Sequence, residues 1–187
     1  MLYIIRHGQT EMNSRRVLQG RSDFALNETG LAQASEAAGK LRGVRFDCVY
    51  ASPLRRAVQT AELLAPGAEI VIDERLIEMD YGPYEGADLQ NLPPEILTFF
   101  SDFVHNPAPS GMEQLTAVVA RVGAFLEELR GREENILIST HAIAMKGILE
   151  YLTPESNGTY WSKFIGNCAV YTSQNQNGTF SIPSELI

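Results

Sequence analysis

Apolar residues recur along the chain in two different patterns. Short runs rich in Val, Ile and Leu predict strands that are buried on both faces. Longer segments, in which apolar residues recur every three or four positions, predict amphipathic helices. The predicted strands cover residues 1–5, 46–51, 70–72 and 136–140, and the predicted helices cover residues 28–42, 54–64, 111–130 and 141–152. This alternation predicts a three-layer α/β fold, with helices on both faces of a mostly parallel central sheet.

Polar residues mark the expected starts of three helices. Asn27 is typical of the residue that caps the first helix. Ser52-Pro53 predicts the start of the second, with Ser52 as the cap and Pro53 at the first helical position. The tetrapeptide at 110–113 fits a capping box and predicts the start of the long third helix.

Three further segments lack the regular pattern of a buried strand or helix. Residues 13–23 are polar and basic, and we expect them to form a loop over the end of the first strand. Residues 87–111 contain three Phe and several Pro and predict a small helical insertion, or lid. Residues 167–173 and 179–182 predict two strands that are joined by a turn and pair antiparallel at one edge of the sheet.

Size and charge limit the class of protein. We expect the 187 residues to form one domain, because this length suffices for one hydrophobic core. No apolar run approaches the roughly 20 residues of a membrane helix, and no secretory leader is visible, so we expect a cytoplasmic protein with no membrane partner. The net charge of −8 argues against nucleic acid as a partner. Cys48 and Cys168 form no CxxC pair and are expected to stay free thiols.

Two of the three histidines directly follow predicted strands. His7 comes after Arg6 at the end of the first strand, and His141 comes after the fourth strand, at the start of a helix. Because the carboxyl ends of parallel strands meet at one edge of a sheet, we expect both imidazoles in one crevice. The helix that starts at His141 adds free amides and the positive end of its dipole. These features predict a site for an anion such as phosphate.

The chemistry of the neighbouring residues agrees with a phosphate site. Arg6 can bind phosphate oxygens through its fork of donors, and a neutral His7 has a lone pair that can attack phosphorus. The second strand brings Arg55 and Arg56 to the same edge. Two other interpretations remain: strand ends that only face solvent, or a metal site. Arginines beside the histidines would repel a cation, so we expect no metal and no other cofactor.

In its motifs the chain resembles the histidine phosphatase superfamily, also called the phosphoglycerate mutase-like superfamily. The resemblance covers nearly the whole chain, and five motifs occur in the family's order. They are residues 6–10 with Asn13, residues 20–30, residues 52–61, residues 76–78 with 82–86, and residues 139–141.

The resemblance implies a role for each matching residue. His7 would be the nucleophile that forms a phosphohistidine, and Glu78 the acid that protonates the leaving oxygen. Arg6, Arg56 and His141 would hold the phosphate. The implied catalytic residues are thus His7, Glu78, Arg6, Arg56 and His141. The implied phosphate- and substrate-binding residues are Arg6, His7, Asn13, Gln19, Gly20, Arg56, Glu78, His141 and Ala142.

The resemblance also favours one candidate function over the others. The interval between Glu78 and His141 is short for the family, which fits a phosphatase acting on a small phosphorylated metabolite better than a mutase. A phosphoglycerate mutase activity and a phosphate-binding module without turnover are the alternatives. Ala142 stands where the family usually has Gly, which concerns substrate preference more than chemistry. The substrate and the oligomeric state, a homodimer included, are left open by the sequence.

Several other residues have simpler interpretations. Arg55 is expected to be exposed, because the family places its arginine directly before Ala57. Glu85 is interpreted as a turn contact and His105 as a solvated histidine. Aromatic residues could line an apolar mouth of the pocket, namely Phe99, Phe100, Phe103, Tyr84, Tyr160 and Trp161.

Overall fold

The computed structural model describes residues 1–187 and has a central sheet of six strands. In chain order the strands are β1 (Leu2–Arg6), β2 (Cys48–Ala51), β3 (Ile70–Ile72), β4 (Ile136–Thr140), β5 (Val170–Ser173), β6 (Asn175–Gln176), β7 (Thr179–Phe180) and β8 (Ser184–Glu185). Six of these strands form the central sheet, in the order β3-β2-β4-β1-β5-β8, and β6 and β7 form a separate pair. The first four strands are parallel to one another. At one side of the sheet β5 pairs antiparallel with β1, and β8 pairs antiparallel with β5.

Helices cover both faces of this sheet. In chain order the helices are α1 (Glu11–Ser14), α2 (Glu28–Lys40), α3 (Arg55–Leu64), α4 (Pro94–Ser101), α5 (Leu115–Leu129), α6 (Ala142–Leu152) and α7 (Thr159–Ser162). Buried residues of α2 and α3 form a core with one face of the sheet, and those of α5 and α6 form a larger core with the other. The predicted three-layer α/β fold is therefore confirmed.

The register of the parallel strands aligns their carboxyl ends. Ser139 of β4 lies opposite both Ile5 of β1 and Ala51 of β2. The residues that follow these strands therefore leave the sheet at one edge. The amide of His7 donates to the carbonyl of Thr140 at 2.9 Å, which places the first histidine beside the start of α6.

The insertion at residues 87–111 contains one helix, α4. Ile96 and Phe99 of α4 are buried in a third core cluster, together with Met112 and Val118. This cluster anchors the insertion on the start of α5, so that the neighbouring Phe100 and Phe103 can reach the edge of the sheet where the strands end.

Two predicted helix starts are wrong. Helix α3 begins at Arg55 after Leu54, and the Ser52 hydroxyl lies 2.7 Å from the His141 ring, where it serves as a hydrogen-bond partner of the imidazole. Helix α5 begins at Leu115 rather than within 110–113, and its first residue has no side-chain cap. The carboxylate expected in a capping box, Glu113, pairs with Arg121 at 2.8 Å instead.

The expected loop and the expected hairpin also differ from the structure. Residues 13–23 begin inside the short helix α1, which Thr10 caps. The strand β7 pairs with β6 in a separate two-stranded sheet, and β5 takes β8 as its antiparallel neighbour. The error arose because β8 is only two residues long and its pairing is set by tertiary contacts rather than by a turn.

Candidate active site

His7 and His141 lie side by side at the carboxyl edge of the sheet. Their ring centroids are 5.0 Å apart, and both residues are buried. His7 directly follows β1, and His141 is the residue before the first turn of α6. The two imidazoles that the sequence placed at equivalent strand ends are thus brought into one site.

Arg56 connects the two rings. Its Nε lies 3.2 Å from His7 Nε2 and 3.2 Å from His141 Nδ1, so one N–H is shared between two acceptors. Its other nitrogens donate to backbone carbonyls, Nη1 to Ser22 at 2.8 Å and Nη2 to Gly20 at 2.6 Å. The Arg56 side chain is fully buried, yet all of these partners are neutral acceptors.

The hydrogen bonds of the rings assign their tautomers. His7 Nδ1 lies 2.7 Å from the Gly8 carbonyl, which can only accept, so Nδ1 carries the proton and Nε2 the lone pair. His141 Nε2 lies 2.7 Å from the Ser52 hydroxyl, while its Nδ1 accepts from Arg56. Both rings therefore present a lone pair towards the guanidinium, as neutral imidazoles do.

Burial favours these neutral forms. It lowers the pKa of His7 well below its usual value, and the positive charges of Arg56 and Arg6 lower it further. The pKa of His141 is also well below its usual value, first because of burial and then because of Arg56. Burial lowers the pKa of Arg56 to about 10, so the guanidinium stays charged at neutral pH.

Arg6 supplies the second guanidinium. Its Nη1 donates to the carbonyl of Ile165, and its Nε is buried without a hydrogen-bond partner. Burial is the main cause of the lowered pKa of Arg6. Neither Arg6 nor Arg56 takes part in any ion pair. An unpaired guanidinium in a buried position is costly, and a bound anion would compensate for that cost.

Glu78 is fixed against the start of α6. Its Oε1 accepts from the amides of Met79, Ile143 and Ala144 at 2.9, 3.1 and 3.0 Å, while its Oε2 accepts only from Ile143, at 3.2 Å. The carboxyl group is buried and lines the same cleft as His7. Oε2 is thus the oxygen with more capacity to exchange a proton with a bound molecule.

The remaining predicted binding residues fall into two groups. Asn13, Gln19 and Ala142 line the cleft with His7, and the Nε2 amide of Gln19 is buried without a partner. Gly20 lies behind Arg56 instead: its carbonyl accepts from Arg56, and its amide donates to the Glu85 carboxylate at 3.0 Å. Gly20 therefore contacts the guanidinium rather than facing the cleft.

The cleft has a volume of about 350 Å³ and is lined by polar and apolar side chains. Its charged and catalytic side chains include Arg6, His7 and Glu78, and the part of the cleft beside His7 is called its phosphate end. Its apolar walls include Phe100 and Phe103, two of the predicted aromatic residues. Of the other predicted aromatics, Phe99 is buried in the core, and none of Tyr84, Tyr160 and Trp161 lines this cleft.

Several residues outside this set support the site. Thr60 accepts from the amide of Gly8 at 3.1 Å, and Asn167 donates to the carbonyl of His7 at 2.9 Å. Glu85, interpreted from the sequence as a turn contact, accepts from the amides of Gly20 and Ser22, whose carbonyls bind Arg56. Thr60 and Glu85 lie within the motifs at 52–61 and 82–86, whereas Asn167 lies outside all five motifs and has no signal in the sequence.

Arg55 and His105 lie at the surface, as expected. The side chain of Arg55 is 63% exposed and pairs with Asp23, so it points away from the two histidines. His105 pairs with Asp102 in the insertion. The alternative of a metal site fits this geometry poorly, because the ring nitrogens that a metal would use accept hydrogen bonds from Arg56.

Comparisons with known proteins agree with this arrangement. The family model of the histidine phosphatase superfamily (branch 1) matches residues 2–184. Phosphoserine phosphatase 1 of Hydrogenobacter thermophilus is 31% identical over 168 residues, 86% of this chain and 80% of that protein. A 2,3-bisphosphoglycerate-dependent phosphoglycerate mutase of Brucella melitensis is 33% identical over 174 residues, 82% of this chain and 83% of the mutase.

A solved structure extends the similarity to three dimensions. The phosphoserine phosphatase of Entamoeba histolytica, in complex with 3-phosphoglyceric acid, is 27% identical and has a TM-score of 0.85, covering 100% of this chain and 96% of that one.

No helix of the present chain combines the length and the apolar character that a membrane span requires.

Proposed function

This chain belongs to the histidine phosphatase superfamily, and we propose that it hydrolyses a small phosphorylated metabolite through a phosphohistidine on His7, without a metal ion. The family and the phosphatases among its relatives make the chain a hydrolase of phosphate monoesters. The proposal adds the residues, the covalent intermediate and the kind of substrate. The kind of substrate is inferred from the relatives that are phosphoserine phosphatases.

One observation carries the proposal: the buried guanidinium of Arg56 bonds to two neutral imidazoles, a second guanidinium, that of the half-buried Arg6, lines the same cleft as His7, and neither has a carboxylate partner. Arg56 bonds to both rings, and Arg6 has a buried Nε without a partner. A phosphate dianion matches this set, because it can accept from both guanidinium groups and still present phosphorus to His7. If these residues were only solvent-facing strand ends, their polar groups would be hydrated at the surface rather than buried together.

The first chemical step is attack on phosphorus. The lone pair on His7 Nε2 forms the N–P bond as the bond from phosphorus to the ester oxygen breaks. The leaving oxygen takes a proton from Glu78, so an alcohol departs and Glu78 is left as a carboxylate. The Gly8 carbonyl holds the Nδ1 proton and stabilises the positive charge that develops on the ring.

The second step returns the enzyme to its starting state. A water molecule attacks the phosphohistidine, its proton passes to Glu78, and the N–P bond breaks to release inorganic phosphate and neutral His7. In both steps Arg6, Arg56 and the amide of Ala142 at the start of α6 stabilise the charge on the oxygens that surround phosphorus. His141 can donate a hydrogen bond to one of these oxygens as well, once its Nδ1 carries a proton.

A mutase activity is the second candidate, because a phosphoglycerate mutase is 33% identical to this chain. The two activities differ in the acceptor of the phosphoryl group, which is water for a phosphatase and a second hydroxyl for a mutase. The interval between Glu78 and His141 favours the phosphatase, since before α5 it contains only a single 3-10 turn and the short helix α4.

The experiment that separates these candidates measures both products on a panel of phosphorylated metabolites. We expect release of inorganic phosphate without formation of a phosphate isomer, and loss of that release in His7→Ala. Insensitivity of the rate to a chelator is expected as well. Isomer formation faster than phosphate release would favour the mutase, and absence of turnover on the whole panel would favour a binding module.

A further inference from the structure

Lys146 lines the same cleft as His7 but takes no part in the mechanism above. It lies on α6, four residues after Ala142, which also lines the cleft. Residues four apart share a helix face and are separated by about 6 Å along the axis. Lys146 therefore lies one helical turn beyond the residue that follows His141, on the face of α6 that lines the cleft.

The ammonium of Lys146 has no anionic partner. Its Nζ donates to the carbonyl of Trp161 at 2.6 Å and lies 5.3 Å from the centroid of the Phe103 ring. It takes part in none of the ion pairs of the molecule. Burial lowers the pKa of Lys146 to about 8, although the charge of Glu78 opposes this shift.

Aromatic rings lie beside Lys146 in the cleft. The Phe103 ring is 5.3 Å from its ammonium and lies 5.5 Å from the Phe100 ring, and Leu18, Leu89 and Ile165 are among the other apolar residues of the lining. The other charged side chains that line the cleft, Arg6 and Glu78, contact the phosphate end, and both oxygens of Glu78 already accept backbone hydrogen bonds. Lys146 is therefore the cation in this part of the cleft that can pair with a negative charge on the leaving group.

We propose that Lys146 binds a carboxylate of the leaving group and so selects the phosphate monoesters of small carboxylic acids. The inference rests on the proposed phosphatase activity and adds the residue that sets the substrate preference. A single ammonium matches the single charge of a carboxylate, whereas a second phosphate carries about two charges and would meet only Lys146 and Arg6 as cations in the cleft lining.

The test compares two esters that differ at one group. 3-Phosphoglycerate carries a carboxylate where glycerol 3-phosphate carries a hydroxymethyl group. We expect a higher kcat/KM for the acid in the unmodified enzyme, and a ratio between the two esters that falls about 10- to 100-fold in Lys146→Met. Lys146→Arg keeps the positive charge and should retain most of the preference.

Lys163→Met is the matched control. Lys163 lies outside the cleft lining and pairs with Glu185 at 2.8 Å, so its loss should leave the ratio of the two esters unchanged. Circular dichroism and the midpoint of thermal unfolding check that each variant folds. If Lys146→Met unfolds, the comparison of Lys146→Arg and Lys146→Gln takes its place.

Three results would overturn the assignment of Lys146. They are an unmodified enzyme without preference for the acid, a ratio that stays constant in the Met variant, and a parallel loss on both esters, which indicates only a tether to Trp161. If instead the unmodified enzyme hydrolyses neither ester and no phosphate can be trapped on His7, the proposed phosphatase activity itself is contradicted.

Discussion

Arg56 is a buried cation whose hydrogen bonds all go to neutral acceptors. Its Nε is shared by the two imidazoles, and its Nη groups are held by the carbonyls of Gly20 and Ser22. The planar fork of a guanidinium fits these acceptors, and a lysine ammonium does not. The position therefore demands both the charge and the shape of arginine.

Replacing Arg56 should impair catalysis even when the charge is kept. We expect Arg56→Lys to lower kcat/KM by about 100- to 1,000-fold, the usual cost of removing one donor that stabilises a transition state. Steady-state phosphate release measures this. The neighbouring Arg55→Lys is the control, since Arg55 faces solvent and Asp23, and it should retain activity. Equal activity of both variants would contradict the role given to Arg56.

The sequence predicted which residues meet at the site, but not how they are held. His7, Arg56 and His141 follow strands or begin helices, so their positions depend on local pattern and sheet geometry. Glu85 holds the loop that binds Arg56, and its partners lie more than 60 residues away in the chain. Such contacts exist only in the folded molecule, and no periodicity or motif chemistry predicts them.

At the scale of elements, the end of β1 and the start of α2 are packed closely enough to require glycine. A Cβ on Gly30 would lie 2.1 Å from the carbonyl oxygen of Gln9, and a Cβ on Gly8 would lie 2.5 Å from the carbonyl oxygen of Gly30. Both obstacles are backbone atoms, which cannot rotate away. The segment that carries His7 is thereby held against α2.

Gly30→Ala should consequently destabilise the protein and displace His7. We expect a loss of about 1–3 kcal/mol in the free energy of unfolding, typical of overpacking, together with reduced kcat. Urea unfolding and phosphate release measure the two effects. Gly39→Ala on the same helix has nothing within 4 Å of the new Cβ and should stabilise by about 0.5–1 kcal/mol. Equal stability of the two variants would rule out this close contact.

Two of the predicted strands have the predicted limits. All five residues of β4 are buried, whereas two of the three residues of β3 are exposed, so a run of β-branched residues suffices for a short edge strand. The start of α5 was wrong because Glu113 forms an ion pair with Arg121 instead of a cap. The apolar residues of α2 are not all buried either: Ala34 and Ala37 are buried, while Leu31 is 41% exposed. Sequence pattern does not record which polar or apolar neighbour a side chain finds in the fold.

At the scale of the molecule, burying two neutral histidines links stability to pH. Both have a pKa well below that of an unfolded histidine, near 6.5. Below pH 6.5 the unfolded chain therefore binds more protons than the folded protein, and folding stability decreases as the pH falls. Carboxylates whose pKa is lowered by ion pairs add to this only at more acidic pH, since their unfolded pKa is about 4.

Urea unfolding between pH 7.5 and 5.5 in phosphate-free buffer should reveal this link. For two histidines the slope approaches about 2.7 kcal/mol per pH unit below pH 6.5. In His141→Asn we expect about half of that slope, because one of the two groups is gone. A stability that is constant over this range would mean that the imidazoles bind protons as readily in the folded protein as in the unfolded chain, and it would contradict their buried neutral state.

The fold brings four groups from distant parts of the chain, Arg6, His7, Arg56 and His141, around one site, and the central claim is that His7 receives the phosphoryl group there. Rapid quenching of the enzyme with a phosphate ester, followed by peptide mass spectrometry, tests it directly. We expect an acid-labile, base-stable phosphate on His7 in the unmodified protein and none in His7→Ala. Phosphate on another residue, or full turnover by His7→Ala, would contradict the account.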